Sequence, residues 1–94
     1  MTATSCIFCK IIARAIPSPI IKENQAAIAI KDIHPRAPTH YLIMPKVHIE
    51  SVGLMSDAEA LVAAQVLMLA RDIAAEGGIT GFNLIAKNGA YAKL

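Results

Sequence analysis

The chain holds 94 residues, 55% of them hydrophobic, with a formal net charge of +2, enough for one small domain with a single core and little to spare. Its Lys and Arg are scattered without a run of like charge, so the basic footprint of a nucleic-acid binder is missing. No stretch reaches the roughly 18 uninterrupted apolar residues that span a membrane, and no basic region precedes a long apolar run as in a secretory signal; a soluble, cytoplasmic chain is expected, with neither nucleic acid nor membrane as partner.

In chain order, Ser5 can cap a short helix over residues 6–14, with Ile7 or Phe8, Ile11 and Ile12 on one face at three- and four-residue spacing. Pro17 and Pro19 stop it. Residues 20–23 and 26–31 are short β-leaning runs, and Asn24-Gln25 between them suits a hairpin turn. Pro35 and Pro38 hold residues 32–39 in extended or turn conformations and predict an ordered loop. A third strand follows over residues 40–44, ended by Pro45.

From residue 56 to about 76 the pattern is helical. Ser56-Asp57-Ala58-Glu59 reads as a capping box, Leu61, Val62, Gln65, Val66, Leu69 and Ile73 recur at helical spacing, and Gly77-Gly78 supplies the stop. All of the stretch from Leu61 to Ile73 is expected in the core, and Leu67, Met68 and Ala70 widen the apolar band enough to predict burial on two sides, with a dimer contact on one. Residues 82–87 alternate as a fourth strand would, and Asn88-Gly89 is the strongest short hairpin signal in the chain. Residues 90–94 are too short for a returning arm.

The chemistry-bearing residues each carry two readings. Cys6 and Cys9, two thiolates on one helical turn, can chelate a tetrahedral zinc ion at about 2.3 Å each, with His48 as a third ligand; equally, beside Phe8 and Ile11, they are small buried core residues. A redox pair is disfavoured because no strand precedes it. Asp32, just past a strand, either accepts hydrogen bonds from vicinal ribose hydroxyls or caps its own turn. His40, opening an apolar strand, either orients a phosphate or another histidine, or is a half-buried strand-end histidine bonded to backbone. His34 lies in the loop and is expected in solvent.

Taken together, Cys6-Ile7-Phe8-Cys9-Lys10-Ile11-Ile12, Ile16-Pro17, Asp32-Ile33-His34-Pro35, Ala37-Pro38-Thr39-His40, Pro45-Lys46-Val47-His48-Ile49, Gly81-Phe82-Asn83-Leu84-Ile85 and Asn88-Gly89-Ala90 resemble the histidine-triad (HIT) nucleotide-binding family, in its bacterial HINT-like branch. The likeness runs from Cys6 to Ala92, and the order and spacing of the pieces make it specific. It implies an α+β fold with an antiparallel sheet, one short N-terminal and one long helix, in a single domain over residues 1–94, and a homodimer. It also implies hydrolysis of purine nucleoside phosphoramidates or related adenylated compounds through a covalent nucleotidyl-histidine. By that likeness Ile7, Phe8, Ile11 and Ile30 line a base pocket for a purine nucleotide such as AMP or GMP, Asp32 holds the ribose with Ile33 beside it, and His40 supports the nucleophile. Cys6, Cys9 and His48 are three of the ligands in zinc-bearing members.

One departure bears on chemistry. The family's His-x-His-x-His strand is expected after Asn88-Gly89, yet the chain's three histidines are His34, His40 and His48. Alternate residues of a strand share a face, which is how that spacing brings histidines to one phosphate. A domain incomplete at its C-terminus, unable to turn over alone, is therefore expected. Lys87 stands where relatives usually carry an Asn for the ribose, and Lys93-Leu94, in place of an expected Gly-Gln, read as residues left by a cloning site, so that an engineered or truncated chain is expected. Such a loss exposes a sheet edge, which a second chain would relieve.

Overall fold

A computed structural model of the chain describes residues 12–13, 19–49, 51–86 and 88. Among them lie three strands, β1 (Ile20–Glu23), β2 (Ala27–Lys31) and β3 (Tyr41–Pro45), then two short 3-10 turns, Val52–Leu54 and Asp57–Glu59, and one helix, α1 (Ala60–Glu76). The strands pair antiparallel in the order β1-β2-β3, an α+β arrangement as expected. Of the helix expected over residues 6–14, Ile12 is helical and Ala13 ends a turn; the rest lies outside the described residues.

The β1–β2 hairpin turns on one side chain. Asn24 Oδ1 accepts from the N–H groups of Ala26 (3.1 Å) and Ala27 (2.8 Å), while the Asn24 N–H donates to the Ala27 carbonyl at 2.9 Å. An Asx turn of this kind makes up for the missing glycine. Asn24 Nδ2 also donates to the Gln65 carbonyl of α1 at 2.9 Å, so the turn is tied to the helix as well as to itself. Asn24→Ala is expected to lower stability by about 1–3 kcal/mol, because it strands donors and an acceptor in a half-buried place. A lower urea midpoint with an unchanged m-value checks it; a midpoint within error of wild type contradicts it.

β2 is central and buried on both faces. On one, Ile28 and Ile30 pack with Met44, flanked by Ile12 and Leu42. On the other, Ala27 and Ala29 meet Leu69 of α1, with Ile21, Ile43, Val66 and Ile73 around them. The methyl side chains of Ala27 and Ala29 leave room for the large Leu69, and all three are fully buried. A register shift between Ile20 and Lys22 in β1 is where the β1 edge bends, and Lys22 Nζ there reaches Glu76 Oε2 at 2.7 Å. That carboxylate, by hydrogen bond first and charge second, holds the Lys22 amine above the ordinary lysine range.

α1 starts and stops as its sequence predicts. Glu59 Oε1 accepts the Ser56 N–H at 2.8 Å and the Glu59 N–H donates to the Ser56 carbonyl at 3.0 Å, so the box forms around a 3-10 first turn. At the other end Ile79 N–H donates to the Ala74 carbonyl (2.8 Å) and Gly78 N–H to that of Ala75 (3.3 Å). This is the Schellman pattern, and Gly78, at φ 66°, takes the left-handed position that favours glycine.

Two expectations are corrected. Leu61 is 80% exposed, not core, and Leu67 and Met68 are exposed too. At 100° per residue Leu61 lies roughly 80° around the helix from Leu69, off the face that meets the sheet, whereas Val62 and Ile73 stay nearer to it. Residues 82–86, the described part of the strand expected over residues 82–87, form no strand with any described residue, and Phe82, Leu84 and Ile85 are exposed. A strand exists only as part of a ladder, and β3, the neighbour the sheet order leaves with an open edge among the described residues, is not hydrogen-bonded to them. No described helix is long and apolar enough to cross a membrane.

Candidate functional site

The register that pairs Lys31 with Tyr41 sets Asp32 and His40 opposite each other at the open end of the β2–β3 ladder. The Asp32 N–H donates to the His40 carbonyl at 3.1 Å, one rung beyond the strands, and the loop over residues 33–39 closes on it. Pro35 and Pro38 sit within that loop without disturbing the rung, as their extended preference requires.

Both side chains turn back onto their own loop. Asp32 Oδ1 accepts the His34 N–H at 2.8 Å, the turn-capping arrangement. Asp32 Oδ2 lies 3.4 Å from His40 Nε2, beyond a strong N–H···O hydrogen bond but within the reach of a charge. His40 Nδ1 accepts the Arg36 N–H at 3.0 Å. An imidazole nitrogen that accepts carries no proton, so in the neutral ring the proton resides on Nε2, facing Asp32. The backbone-bonded histidine is thus what the structure contains, and its partner carboxylate is four-fifths buried at 18% side-chain exposure against 32% for the imidazole.

Strand alternation fixes the side on which this happens. Ile28, Ile30, Leu42 and Met44 share the sheet face turned away from α1, and Asp32 and His40 continue their alternation. Ile30, expected in a base pocket, is buried at 3% exposure and packs near Ile12 on that face. Ile33 is 81% exposed in the loop, and His34 is in solvent as expected. Ile7, Phe8, Ile11, Cys6 and Cys9 lie outside the described residues.

His48 is exposed, three residues after β3. The chain leading to it is anchored, since Lys46 N–H donates to the Ala26 carbonyl at 2.8 Å and Lys46 Nζ pairs with Glu23 Oε1 at 2.8 Å. Among the described residues no three His, Cys, Asp or Glu side chains gather as metal ligands do. Two thiolates and an imidazole are a zinc donor set by chemistry.

A cavity of about 630 Å³ opens on the opposite face of β3, lined by Tyr41 and Ile43, by Val66 and Leu67 of α1, and by Leu84 and Ile85. It is apolar and stands apart from the Asp32–His40 loop by strand alternation. Asn88 accepts the Gly53 N–H on Oδ1 at 2.6 Å, so its side chain is tied to the 52–54 turn; the rest of the hairpin expected at Asn88-Gly89 lies outside the described residues. Sequence reading missed the Arg36 contact because a backbone amide leaves no mark in residue type. The cavity was within reach of it, since Tyr41 and Ile43 alternate with His40 and Leu42.

Comparison with known proteins gives one family. A family model described as "Scavenger mRNA decapping enzyme C-term binding" matches residues 5–90. The protein HitA of Neisseria gonorrhoeae is 35% identical over 86 residues, covering 90% of this chain and 80% of its own length. An uncharacterized HIT-like protein of Synechocystis is 36% identical over 89 residues, covering 94% and 78%. Among solved structures, a histidine triad protein from Clostridium difficile superposes at a TM-score of 0.93 with 34% identity over 100% of this chain and 84% of the other. A HIT family hydrolase from Clostridium thermocellum does so at 0.93 with 41% identity over 99% and 83%. With the family model spanning most of the chain and relatives above 30% identity along nearly all of it, the chain belongs to the histidine-triad (HIT) family.

Proposed function

We propose that this chain binds a purine nucleotide such as AMP or GMP at the Asp32–His40 loop, and that the 94-residue chain does not hydrolyse nucleoside phosphoramidates by itself. The observation that carries the binding half is the Asp32 carboxylate: largely buried, fixed by the His34 amide, and with two of about four acceptor positions used. The remaining positions suit a pair of vicinal hydroxyls. Ile30 and, from the family likeness, Ile7, Phe8 and Ile11 surround the base, with Ile33 beside Asp32.

The absence of turnover rests on the histidines. A nucleotidyl-histidine needs an imidazole nitrogen with a free lone pair aimed at phosphorus. His40 spends its Nδ1 lone pair on Arg36 and bears its proton on Nε2, so it supports and does not attack. His34 is exposed in the loop, and His48 lies past the far end of β3. The test combines calorimetric titration of AMP with hydrolysis of an adenosine phosphoramidate by the purified chain. AMP heat without turnover is expected; turnover at ordinary enzyme rates overturns the inactive reading, and no AMP heat overturns the binding one.

A second reading, a zinc-binding structural module or a fragment completed by a second chain, draws on the edge of β3 that no described strand pairs and on the apolar cavity beside β3, which suit an added extended strand. In it Cys6, Cys9 and His48 hold a structural zinc ion that ties the N-terminal segment to the end of β3. Stoichiometric zinc with no AMP heat favours this reading. In either one a homodimer is expected through the exposed Leu61, Leu67 and Met68 of α1.

A further inference from the structure

The 32–40 loop is held by a ring of four contacts, and His40 makes three of them: its carbonyl takes the Asp32 N–H, its Nδ1 takes the Arg36 N–H, and its Nε2 faces Asp32 Oδ2. The fourth, His34 N–H to Asp32 Oδ1, involves only the carboxylate. We propose that His40 is a positioning residue whose neutral, Nε2-protonated ring couples the Asp32 carboxylate to the Arg36 turn, and that protonating the ring uncouples them. The consequence for ribose binding rests on the nucleotide reading above; the coupling itself does not.

The two edges of the imidazole respond in opposite senses. A proton added to Nδ1 turns the acceptor of the Arg36 N–H into a second donor, 3.0 Å away, so that bond is lost and the turn is repelled. The same proton makes the ring a cation beside Asp32 Oδ2 at 3.4 Å, where the weak contact becomes charge-assisted and shortens. Residues 33–39 are all exposed, so their release uncovers little apolar surface. Asp32 is the charged group facing the ring. The other titratable side chains of the loop are His34 and Arg36, and Lys31 and Tyr41, paired at the adjoining strand ends, project to the opposite face by alternation.

For Asp32 this is a change of allegiance. While the ring is neutral, Oδ2 keeps acceptor capacity for a hydroxyl; beside an imidazolium that capacity is drawn to the ring. Ribose-dependent affinity should therefore fall as His40 protonates, with contacts to the base unaffected.

NMR of the chain without nucleotide tests the coupling. Imidazole nitrogen shifts of the neutral ring are expected to show His40 protonated at Nε2 and bare at Nδ1. As the ring titrates, the exchange protection of the Arg36 amide should fall about fivefold to tenfold, the worth of one neutral hydrogen bond. The Asp32 amide, bonded to the His40 carbonyl and not to the ring, should hold its protection and serves as the internal control. His40→Asn keeps an acceptor near the Nδ1 position and should protect the Arg36 amide at every pH; His40→Gln keeps a donor near Nε2 and should protect it at none. An Arg36 amide that stays protected through the His40 titration, or a neutral ring protonated at Nδ1, overturns the proposal, and wild-type chain alone decides both. Titrating AMP against its 2′,3′-dideoxy analogue above and below the transition reads the consequence: a preference for AMP that shrinks on protonation supports it, and one that holds steady overturns it. Failure of both ligands to bind would overturn the nucleotide reading and not the amide result.

Discussion

Leu69→Ala is expected to destabilise the chain by about 2–5 kcal/mol, the range for deleting a fully buried leucine whose surroundings cannot collapse into the gap. Leu69 has no exposed surface, and the sheet residues beneath it, Ala27 and Ala29, are also fully buried and carry nothing that could move into the space. Val66 and Ile73 sit one turn away on either side of it along α1 and are held by the same helix. Set against the roughly 5–15 kcal/mol that hold a small domain together, the loss is large. Leu61→Ala, on the same helix but 80% exposed, should change stability by about 0.5 kcal/mol or less. Urea unfolding of the two variants side by side measures the difference; equal midpoints would mean that α1 does not dock through Leu69.

That contrast also marks where periodicity stops being informative. Leu61 and Leu69 are the same residue type within the same apolar band, and the spacing put both in the core. What separates them is which part of the helix surface the sheet reaches, and this depends on Ala27 and Ala29 being small enough to admit one large side chain. Local signals fared better because their physics is local. Ser56 with Glu59, Gly77-Gly78, and the paired runs 20–23 and 26–31 each specify their own backbone hydrogen bonds, and each formed within a residue of its expected place. Residues 82–86 are the counterexample: alternation describes a strand's faces, but a strand also needs a neighbour's backbone, which no residue of its own can supply.

The site divides along the same line. Asp32, His40 and the prolines between them are legible because the chemistry lies in the side chains and the ring closure follows from strand pairing. For each of the two residues the arrangement found is the bland one, and it leaves one polar atom turned toward the other residue. Asp32 caps its turn with one oxygen and leaves the other facing His40; His40 bonds a backbone amide through one nitrogen and faces the carboxylate with the other. The amide of Arg36, which selects the ring tautomer, is invisible in sequence, because any residue at that position carries one.

Asp32→Ala should lower AMP affinity by about 10- to 100-fold, since hydrogen bonds to a charged group are worth about 1.5–3 kcal/mol. The 2′,3′-dideoxy analogue lacks the hydroxyls that Asp32 would accept from, so its affinity should change little. The two ligands together separate loss of the ribose contact from collapse of the loop, which would weaken both alike. Asp32→Asn is the sharper variant. Its amide keeps an oxygen for the His34 N–H, but where Oδ2 stood there is now an NH2 group aimed at the Nε2–H of His40, donor against donor. The ring can escape only by moving its proton to Nδ1, which would cost the Arg36 bond, so Asp32→Asn is expected to loosen the Arg36 amide while the ring is neutral, even though the carboxamide has nearly the size and shape of the carboxylate it replaces. Because the two residues touch, their effects should not add: the Asp32→Ala/His40→Gln double variant should lose less AMP affinity than the sum of the singles. Additive losses would mean that Asp32 and His40 act on the nucleotide independently.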